Sequence, residues 1–167
     1  MNYQGSFHHT LILSGNNHNR KILSKLKNGK ATKFKKPLTL AKTPKLYIIK
    51  MENEIIYVGY TSQSISSRLN YGLKANGNKG YYGYKWKNAK DKFELFVFVF
   101  EKTLSGNKTL DKQVIEKIEA IEAELVFLIR ENDGNWPKFQ NEIHFHYNQS
   151  VRAKNIAKNI YRYITEN

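Results

Sequence analysis

Two short segments rich in β-branched and aromatic residues constrain the fold of this chain more than any other feature. They cover residues 46–50 and 55–60, and the short segment between them contains the polar residues 52–54. Residues of this kind favour strands, and so short a connection predicts an antiparallel β-hairpin. With a three-residue loop, Tyr47 and Tyr57 project as neighbours from one face of the hairpin, whereas a one-residue register slip separates them.

Helical periodicity follows the predicted hairpin. Ser64 precedes apolar residues at three- and four-residue spacing and is the expected N-cap of a short helix. Residues 93–101 form the clearest strand. Helical spacing then predicts a long helix that opens at Leu110 or Asp111 and ends near residue 132. This order predicts an α+β fold in which a small antiparallel or mixed β-sheet is flanked by helices.

The positive charge of the chain is concentrated near its N-terminus. The first 50 residues hold eleven basic residues and no acidic one, and the whole chain has a net charge of +14. Residues 1–44 are therefore expected to form a basic arm, with one short helix around 21–27. A central domain over 45–147 follows, in which 142–147 are extended, and the chain ends in a basic helix within 148–167.

A basic segment without counter-charges is an expected partner for a polyanion, and such binding weakens steeply with salt. Leu23, Leu26 and Phe34 stand among the lysines, which a solvated tail does not explain, and no amphipathic apolar face favours a membrane surface. Nucleic acid is the favoured partner. The candidate phosphate-contacting residues are Arg20, Lys21, Lys33, Lys35, Lys36, Lys45, Lys79 and Lys85.

Composition excludes several classes of protein. The chain has no cysteine, which rules out disulfide scaffolds, Cys-ligated zinc folds and thiol catalysis. Its longest uninterrupted apolar run, residues 95–100, is too short to span a bilayer, and its N-terminus does not resemble a secretory signal. We therefore expect a cytoplasmic protein without a membrane partner.

The long helix carries the candidate metal ligand. On a helical wheel, Glu124 lies about 60–80° from the centre of the apolar stripe, whereas Glu119 points nearly opposite and Glu122 lies off to one side. A half-buried carboxylate needs a metal ion or another cation. Glu124 is thus a candidate ligand for a cation, and pairing with Lys117 or Arg130 is the alternative.

The hairpin and the helix after it resemble the GIY-YIG nuclease family. Tyr47 matches the tyrosine of the family's first motif, and residues 57–59, Tyr-Val-Gly, match the second. Arg68 matches the arginine of the following helix, Glu124 the glutamate of a later helix and Asn141 the asparagine beyond it. The resemblance covers about residues 45–147.

Three features depart from the family pattern: the gap between Glu124 and Asn141 is longer than usual, and two changes lie at the motifs. Lys45 and Leu46 replace the Gly-Ile pair that precedes the first tyrosine. The histidine that many members carry near the second motif or the arginine is absent, and Tyr60 or Tyr71 is the candidate replacement.

The resemblance implies a metal-dependent endonuclease that hydrolyses phosphodiester bonds in double-stranded DNA. Tyr47 would act as general base with help from Tyr57, and Arg68 would neutralise charge on the scissile phosphate. Glu124 would hold one Mg²⁺ or Mn²⁺ per active site. The stretch from Glu124 onward is similar to the type II restriction enzymes of the family, which implies a site-specific enzyme and, on a palindrome, a homodimer.

A second nuclease family offers an alternative. The strand-like sequence His144-Phe145-His146 is similar to the paired histidines of HUH single-strand nucleases, in which Tyr161 or Tyr163 would be the nucleophile. Such short motifs match by chance often, and two histidines on one strand face that pack or contact DNA are the simpler interpretation.

A binding module without catalysis is the other alternative. The aromatic residues Tyr81, Tyr82, Tyr84 and Trp86 alternate with lysines, as in a platform for stacking nucleobases. Packing of the same side chains onto the sheet is the simpler interpretation.

Overall fold

A six-stranded sheet forms the centre of the fold in the structure, a computed structural model. The structure describes residues 1–141, 143–145 and 150–166, without the side chains of His18 and Lys79. The strands are β1 (Tyr3–Ser14), β2 (Lys21–Lys27), β3 (Lys30–Ala31), β4 (Lys45–Met51), β5 (Glu54–Thr61) and β6 (Lys92–Phe100). They lie in the order β3-β2-β1-β6-β4-β5, and every pairing is antiparallel. With its helices, this sheet confirms the predicted α+β class.

Each of the three helices α1 (Ile65–Lys74), α2 (Lys108–Asp133) and α3 (Val151–Glu166) lies where the sequence predicts one. Ser64 caps α1 as predicted, because its hydroxyl accepts a hydrogen bond from the Ser67 amide at 3.1 Å. The cap of α2 is Asn107, three residues before the predicted start. Of the extended segment expected over 142–147, residues 143–145 belong to no strand, and the others lie outside the described residues.

The helices cover the two faces of the sheet. Against one face, α2 and α3 bury the apolar side chains that alternate with the two tyrosines along β4 and β5. Against the other, α1 packs together with residues 32–44 and 84–86, and this side contains Tyr47 and Tyr57. None of the helices in the described part of the chain is long and apolar enough to cross a membrane.

The predicted hairpin forms between β4 and β5 with a tighter turn. Met51 pairs with Glu54, so the turn has two residues instead of three. A bulge after Ile49 compensates for this difference, and Tyr47 and Tyr57 share one face as predicted, with ring centroids 5.8 Å apart.

The expected N-terminal arm is not an arm. Strand β1 lies inside the sheet between β2 and β6, and residues 21–27 are a strand rather than the expected helix. The reason is period-two alternation, which the charge pattern hides: Leu11 and Leu13 are buried, and Ile12 between them is more exposed. The basic N-terminus is therefore part of the folded domain.

Replacing Leu11 tests this placement. Its side chain is fully buried, so Leu11→Ala should destabilise the domain by about 2–5 kcal/mol because it leaves a cavity. Leu23→Ala is the matched control on β2, where the side chain is 66% exposed, and its effect should stay within about 0.5 kcal/mol. Urea unfolding measures both. Equally small effects of both substitutions would instead support the N-terminal arm expected from the sequence.

Candidate active site

A cavity of about 560 Å³ lies at the outer edge of β5, where α1 and α2 approach each other from opposite faces of the sheet. Tyr57 and Tyr60 of β5 and Arg68 of α1 contribute to its wall. Glu119 and Glu122 of α2 line it as well. The cavity thus combines phenols, a guanidinium and two carboxylates from three separate elements.

Arg68 is held in place by two buried tyrosines. Its Nε donates a hydrogen bond to the hydroxyl oxygen of Tyr47 at 3.1 Å. The hydroxyls of Tyr47 and Tyr84 are 3.0 Å apart, and Tyr84 donates to the carbonyl oxygen of Arg68 at 3.3 Å. The guanidinium also lies 5.6 Å from the centre of the Tyr84 ring, within cation–π range. These contacts fix the direction in which Arg68 points.

Burial keeps the phenols of this cluster neutral. It raises the pKa of Tyr47 well above the ordinary value, and the nearby Tyr84 acts in the same direction, against the opposing effect of Arg68. Burial and Tyr47 likewise raise the pKa of Tyr57. Tyr47 has no exposed surface and does not line the cavity, whereas Tyr57 does. Of the two phenols, Tyr57 is the one that a bound molecule can reach.

Gly59 provides the space in which the two tyrosines lie. A Cβ atom on Gly59 would come within 2.6 Å of Cζ of Tyr47 and 2.7 Å of Cε1 of Tyr57. Such distances are far inside van der Waals contact, so any side chain here displaces the rings. The glycine of the Tyr-Val-Gly triplet is required by this close approach.

The carboxylates of Glu119 and Glu122 are placed so that their negative charges repel each other. Glu119 and Glu122 are three residues apart and therefore lie on one face of α2. Burial raises the pKa of Glu122 to about 8, and Glu119 adds to the increase, whereas Arg68 opposes it. Ionising this carboxyl group costs free energy in the folded state, an arrangement found often at functional sites.

Glu119, Glu122 and the amide oxygen of Asn141 are the oxygen ligands that the cavity offers to a divalent cation. Within the described residues, no group of three or more His, Asp or Glu side chains is arranged as a complete metal site. Mg²⁺ is commonly held by one or two carboxylates and completed by waters and a substrate phosphate. The donor set therefore fits Mg²⁺ or Mn²⁺ bound together with a phosphate.

Glu124, the ligand expected from the sequence, is not brought to the cavity. It lies two residues after Glu122, about 200° around the helix, and is buried elsewhere on α2. The helical wheel placed the site along the apolar stripe, but the cavity lies at the edge of the sheet, beside that stripe. Glu122 lines the cavity instead of Glu124. Glu119 lines it as well, although it was expected to point into solvent.

The segment after α2 runs along the outer edge of β5. The amide of Phe139 donates to the carbonyl oxygen of Ile56, and the amide of Val58 donates to Oε1 of Gln140, both at 3.0 Å. These two bonds bring Asn141 to the cavity as expected, and His144 with it. Sequence analysis did not assign His144 to this site because its distance from the hairpin in the chain hides the proximity.

The structure also shows where the tyrosines proposed to replace the family histidine lie, and where the candidate HUH nucleophiles lie. Tyr60 lines the cavity, whereas Tyr71 is not among its lining residues. Tyr161 donates to Asp133 at 2.7 Å, and Tyr163 packs edge-on against a phenylalanine of β6, so neither joins His144 at the cavity. His146 lies outside the described residues.

Arg20, a candidate DNA contact, is a structural residue. It is 5% exposed, and its guanidinium donates at 2.6 Å to the carbonyl oxygens of Gly15, Lys87 and Lys90 and to the Asp91 carboxylate. A side chain whose donors are used in this way does not reach a phosphate. Its function is to join the loop after β1 to the loop before β6.

Lys45, another candidate DNA contact, is fully buried on β4. Its ammonium group donates to the carbonyl oxygens of Leu40, Thr43 and Gln63 at 2.6–3.0 Å. Burial lowers the pKa of Lys45 to about 8. The lysine ties the segment before β4 to the turn that leads into α1, and so it supports the position of Arg68.

The remaining candidate DNA contacts are on the surface. Lys21, Lys33, Lys35 and Lys36 are exposed, and Lys85 is exposed at the cavity itself. The side chain of Lys79 lies outside the described part of the chain. Their exposure leaves these lysines accessible to a partner.

Comparison of the chain with models of protein families, with curated proteins and with solved structures found no match. A functional assignment therefore depends on the cavity and its side chains.

The raised pKa of Glu122 predicts a pH-dependent stability. The pKa is about 8 in the folded chain and 4.5 for the unperturbed side chain, so the folded state binds more protons between these values. Stability should therefore fall as pH rises from about 4.5 to 8. Glutamine imitates the protonated acid, so Glu122→Gln should raise Tm at pH 8.5, with a gain that shrinks toward pH 4.5.

The measurement is thermal unfolding without divalent cations, and Glu131→Gln is the control for loss of one exposed charge on the same helix. If Glu122→Gln gave the same change in Tm at both pH values, the carboxyl group would not be perturbed by the cavity.

Proposed function

We propose that this protein is a metal-dependent DNA endonuclease that hydrolyses phosphodiester bonds in the cavity beside β5. The observation that carries the proposal is that Arg68, fixed by buried phenols, and the carboxylate pair Glu119 and Glu122 line the same cavity. A fixed cation and a site for a divalent cation are groups that stabilise the charge that develops when a phosphodiester is hydrolysed. The resemblance to GIY-YIG nucleases supports the same conclusion.

Arg68 is assigned to the scissile phosphate. Tyr47 accepts the hydrogen bond from Nε, which leaves the two Nη groups for a bidentate contact with phosphate oxygens. Because its direction is fixed before substrate binds, the guanidinium stabilises charge that develops in the transition state without reorganisation.

Glu122 is assigned to the divalent cation, with Glu119 and Asn141 beside it. A bound Mg²⁺ or Mn²⁺, one per active site, would stabilise negative charge on the phosphate and on the leaving oxygen. The high pKa of Glu122 means that the cation competes with a proton, so its affinity rises as pH rises through about 8.

The two tyrosines of the hairpin take different parts. Tyr57 lines the cavity and lies where it can hydrogen-bond the attacking water. Tyr47 is sealed from the cavity, with a raised pKa, so we assign it to positioning Arg68 rather than to proton abstraction. This differs from the roles that the family resemblance implies.

Double-stranded DNA is the proposed substrate, and exposed Lys21, Lys33, Lys35 and Lys36 are the proposed contacts with its backbone. The similarity of residues 124–146 to type II restriction enzymes supports a site-specific enzyme. Since one cavity cuts one strand, a homodimer on a palindromic site would cut both.

Cleavage of phage DNA with Mg²⁺ tests this proposal, with discrete fragments on a gel as the expected result. Glu122→Gln and Arg68→Ala should each lose at least about 10²-fold in rate, because each removes a charge at the reacting phosphate. Glu124→Gln is the matched control on the same helix and should cleave at nearly the parent rate.

Two outcomes would contradict the assignment. Loss of cleavage in Glu124→Gln with retention in Glu122→Gln would return the metal to the residue expected from the sequence. Binding of DNA without cleavage at any pH or metal concentration would leave a binding module instead of an enzyme.

The different parts of the two tyrosines predict different kinetics. Tyr57→Phe should reduce the rate by roughly 10²-fold or more, because it removes a hydroxyl from the cavity. Tyr47→Phe should reduce it less and leave the shape of the pH–rate profile unchanged, because only the support of Arg68 is weakened. If Tyr47→Phe caused the greater loss and altered the alkaline limb, Tyr47 would be the base.

A further inference from the structure

A segment rich in aromatic residues, residues 75–87, forms part of the cavity wall and also reaches its surface; we name it the aromatic loop. Tyr82 of this loop is 73% exposed, although it lines the cavity. Tyr81 lines it too and is stacked on Tyr71 of α1, with centroids 4.9 Å apart and planes at 12°. Exposed aromatic side chains grouped in this way mark interaction surfaces.

The aromatic loop is held in one conformation by polar contacts beneath it. Lys87 is 6% exposed and donates to the carbonyl oxygens of Ala75 and Tyr82 at 2.7 and 3.2 Å. Arg20 in turn donates to the carbonyl oxygen of Lys87. The amide of Gly77 donates to the carbonyl oxygen of Tyr81 at 3.0 Å. Tyr82 is therefore presented on a fixed backbone, which lowers the entropy cost of using it for binding.

Tyr82 also has a defined support. A Cβ atom on Gly77 would lie 2.6 Å from Cε1 of Tyr82, so the ring packs directly over the glycine backbone. One face of the ring is thereby supported, and most of the side chain remains in solvent.

The charge around the aromatic loop selects the kind of ligand. Residues 55–90 contain six basic residues and no acidic one, and exposed Lys85 lines the cavity beside Tyr82. Aromatic faces combined with positive charge bind nucleobases by stacking while the cations hold the backbone. A tyrosine ring can stack on any of the bases. Such stacking requires a base that has left the helical stack.

We propose that Tyr82, supported by the backbone of Gly77, binds an unstacked nucleobase beside the phosphate held by Arg68. The inference rests on the proposed nuclease function and adds that the substrate DNA is distorted when bound, with one base removed from the duplex stack. Tyr82 and Arg68 line one cavity, so the base and the phosphate would belong to the same bound strand.

Binding of the full chain without divalent cations tests the proposal separately from cleavage. The probes are a DNA duplex and the same duplex with one mismatched pair, whose bases leave the stack at lower cost. The parent should bind the mismatched duplex more tightly. Tyr82→Ala should weaken that binding roughly tenfold, and Tyr82→Phe should retain it because the aromatic face remains.

The salt dependence separates stacking from charge. Tyr82→Ala should leave the slope of log affinity against log salt unchanged, whereas Lys85→Ala should reduce its magnitude by about 1. Tyr163→Ala, a partly exposed tyrosine of α3 away from the cavity, should change neither affinity nor slope.

Equal binding of both duplexes, or equal loss in Tyr82→Phe and Tyr82→Ala, would overturn the proposal. Tighter, Tyr82-dependent binding of the same sequence as RNA would overturn DNA as the ligand. Absence of cleavage with Mg²⁺ would contradict only the nuclease function. The affinities of the Tyr82 variants would still decide whether Tyr82 binds a nucleobase.

Discussion

The hydrogen bond from Nε of Arg68 to the buried oxygen of Tyr47 is the contact on which the candidate site depends. It joins α1 to β4, and it exists because Gly59 leaves room for the Tyr47 ring against β5. Tyr84 brings the aromatic loop into the same network. Two neutral phenols and one guanidinium thus connect α1, β4 and the aromatic loop.

Buried cations hold the segments that carry this network. Arg20, Lys45 and Lys87 each donate to backbone carbonyl oxygens of loops rather than to carboxylate partners alone. Carbonyl groups in irregular segments lack the partners that a helix or sheet provides, and buried groups without partners are costly. In a chain with 28 basic residues, lysine and arginine satisfy this requirement.

Local patterns allowed the sheet hairpin, the three helices and the neighbouring tyrosines to be predicted from the sequence. Strand β1 was missed because the absence of acidic residues up to Lys50 suggested an arm, although Leu11 and Leu13 alternate as a strand requires. The exposed and buried lysines look alike in sequence, so Arg20 and Lys45 were expected on the surface. Only the carbonyl groups around them, set by tertiary structure, distinguish the two classes.

The carboxylates were harder to place. A helical wheel gives angles around α2 but not the position of the helix relative to the sheet, and the edge position of the cavity selects Glu122 over Glu124. Asn141 was found from motif order alone. His144 was not, because the bonds of Phe139 and Gln140 to β5 that bring it near have no signal in the sequence.

Those bonds along β5 also determine how the sheet ends. The segment around residues 139–140 occupies backbone groups of Ile56 and Val58 that an additional strand would need. At the opposite end, β3 has only two residues, one of them lysine, and offers too short a template for pairing. The β5 margin is thereby partly closed to intermolecular strand addition. The segment that completes the cavity therefore also limits edge-to-edge association at β5.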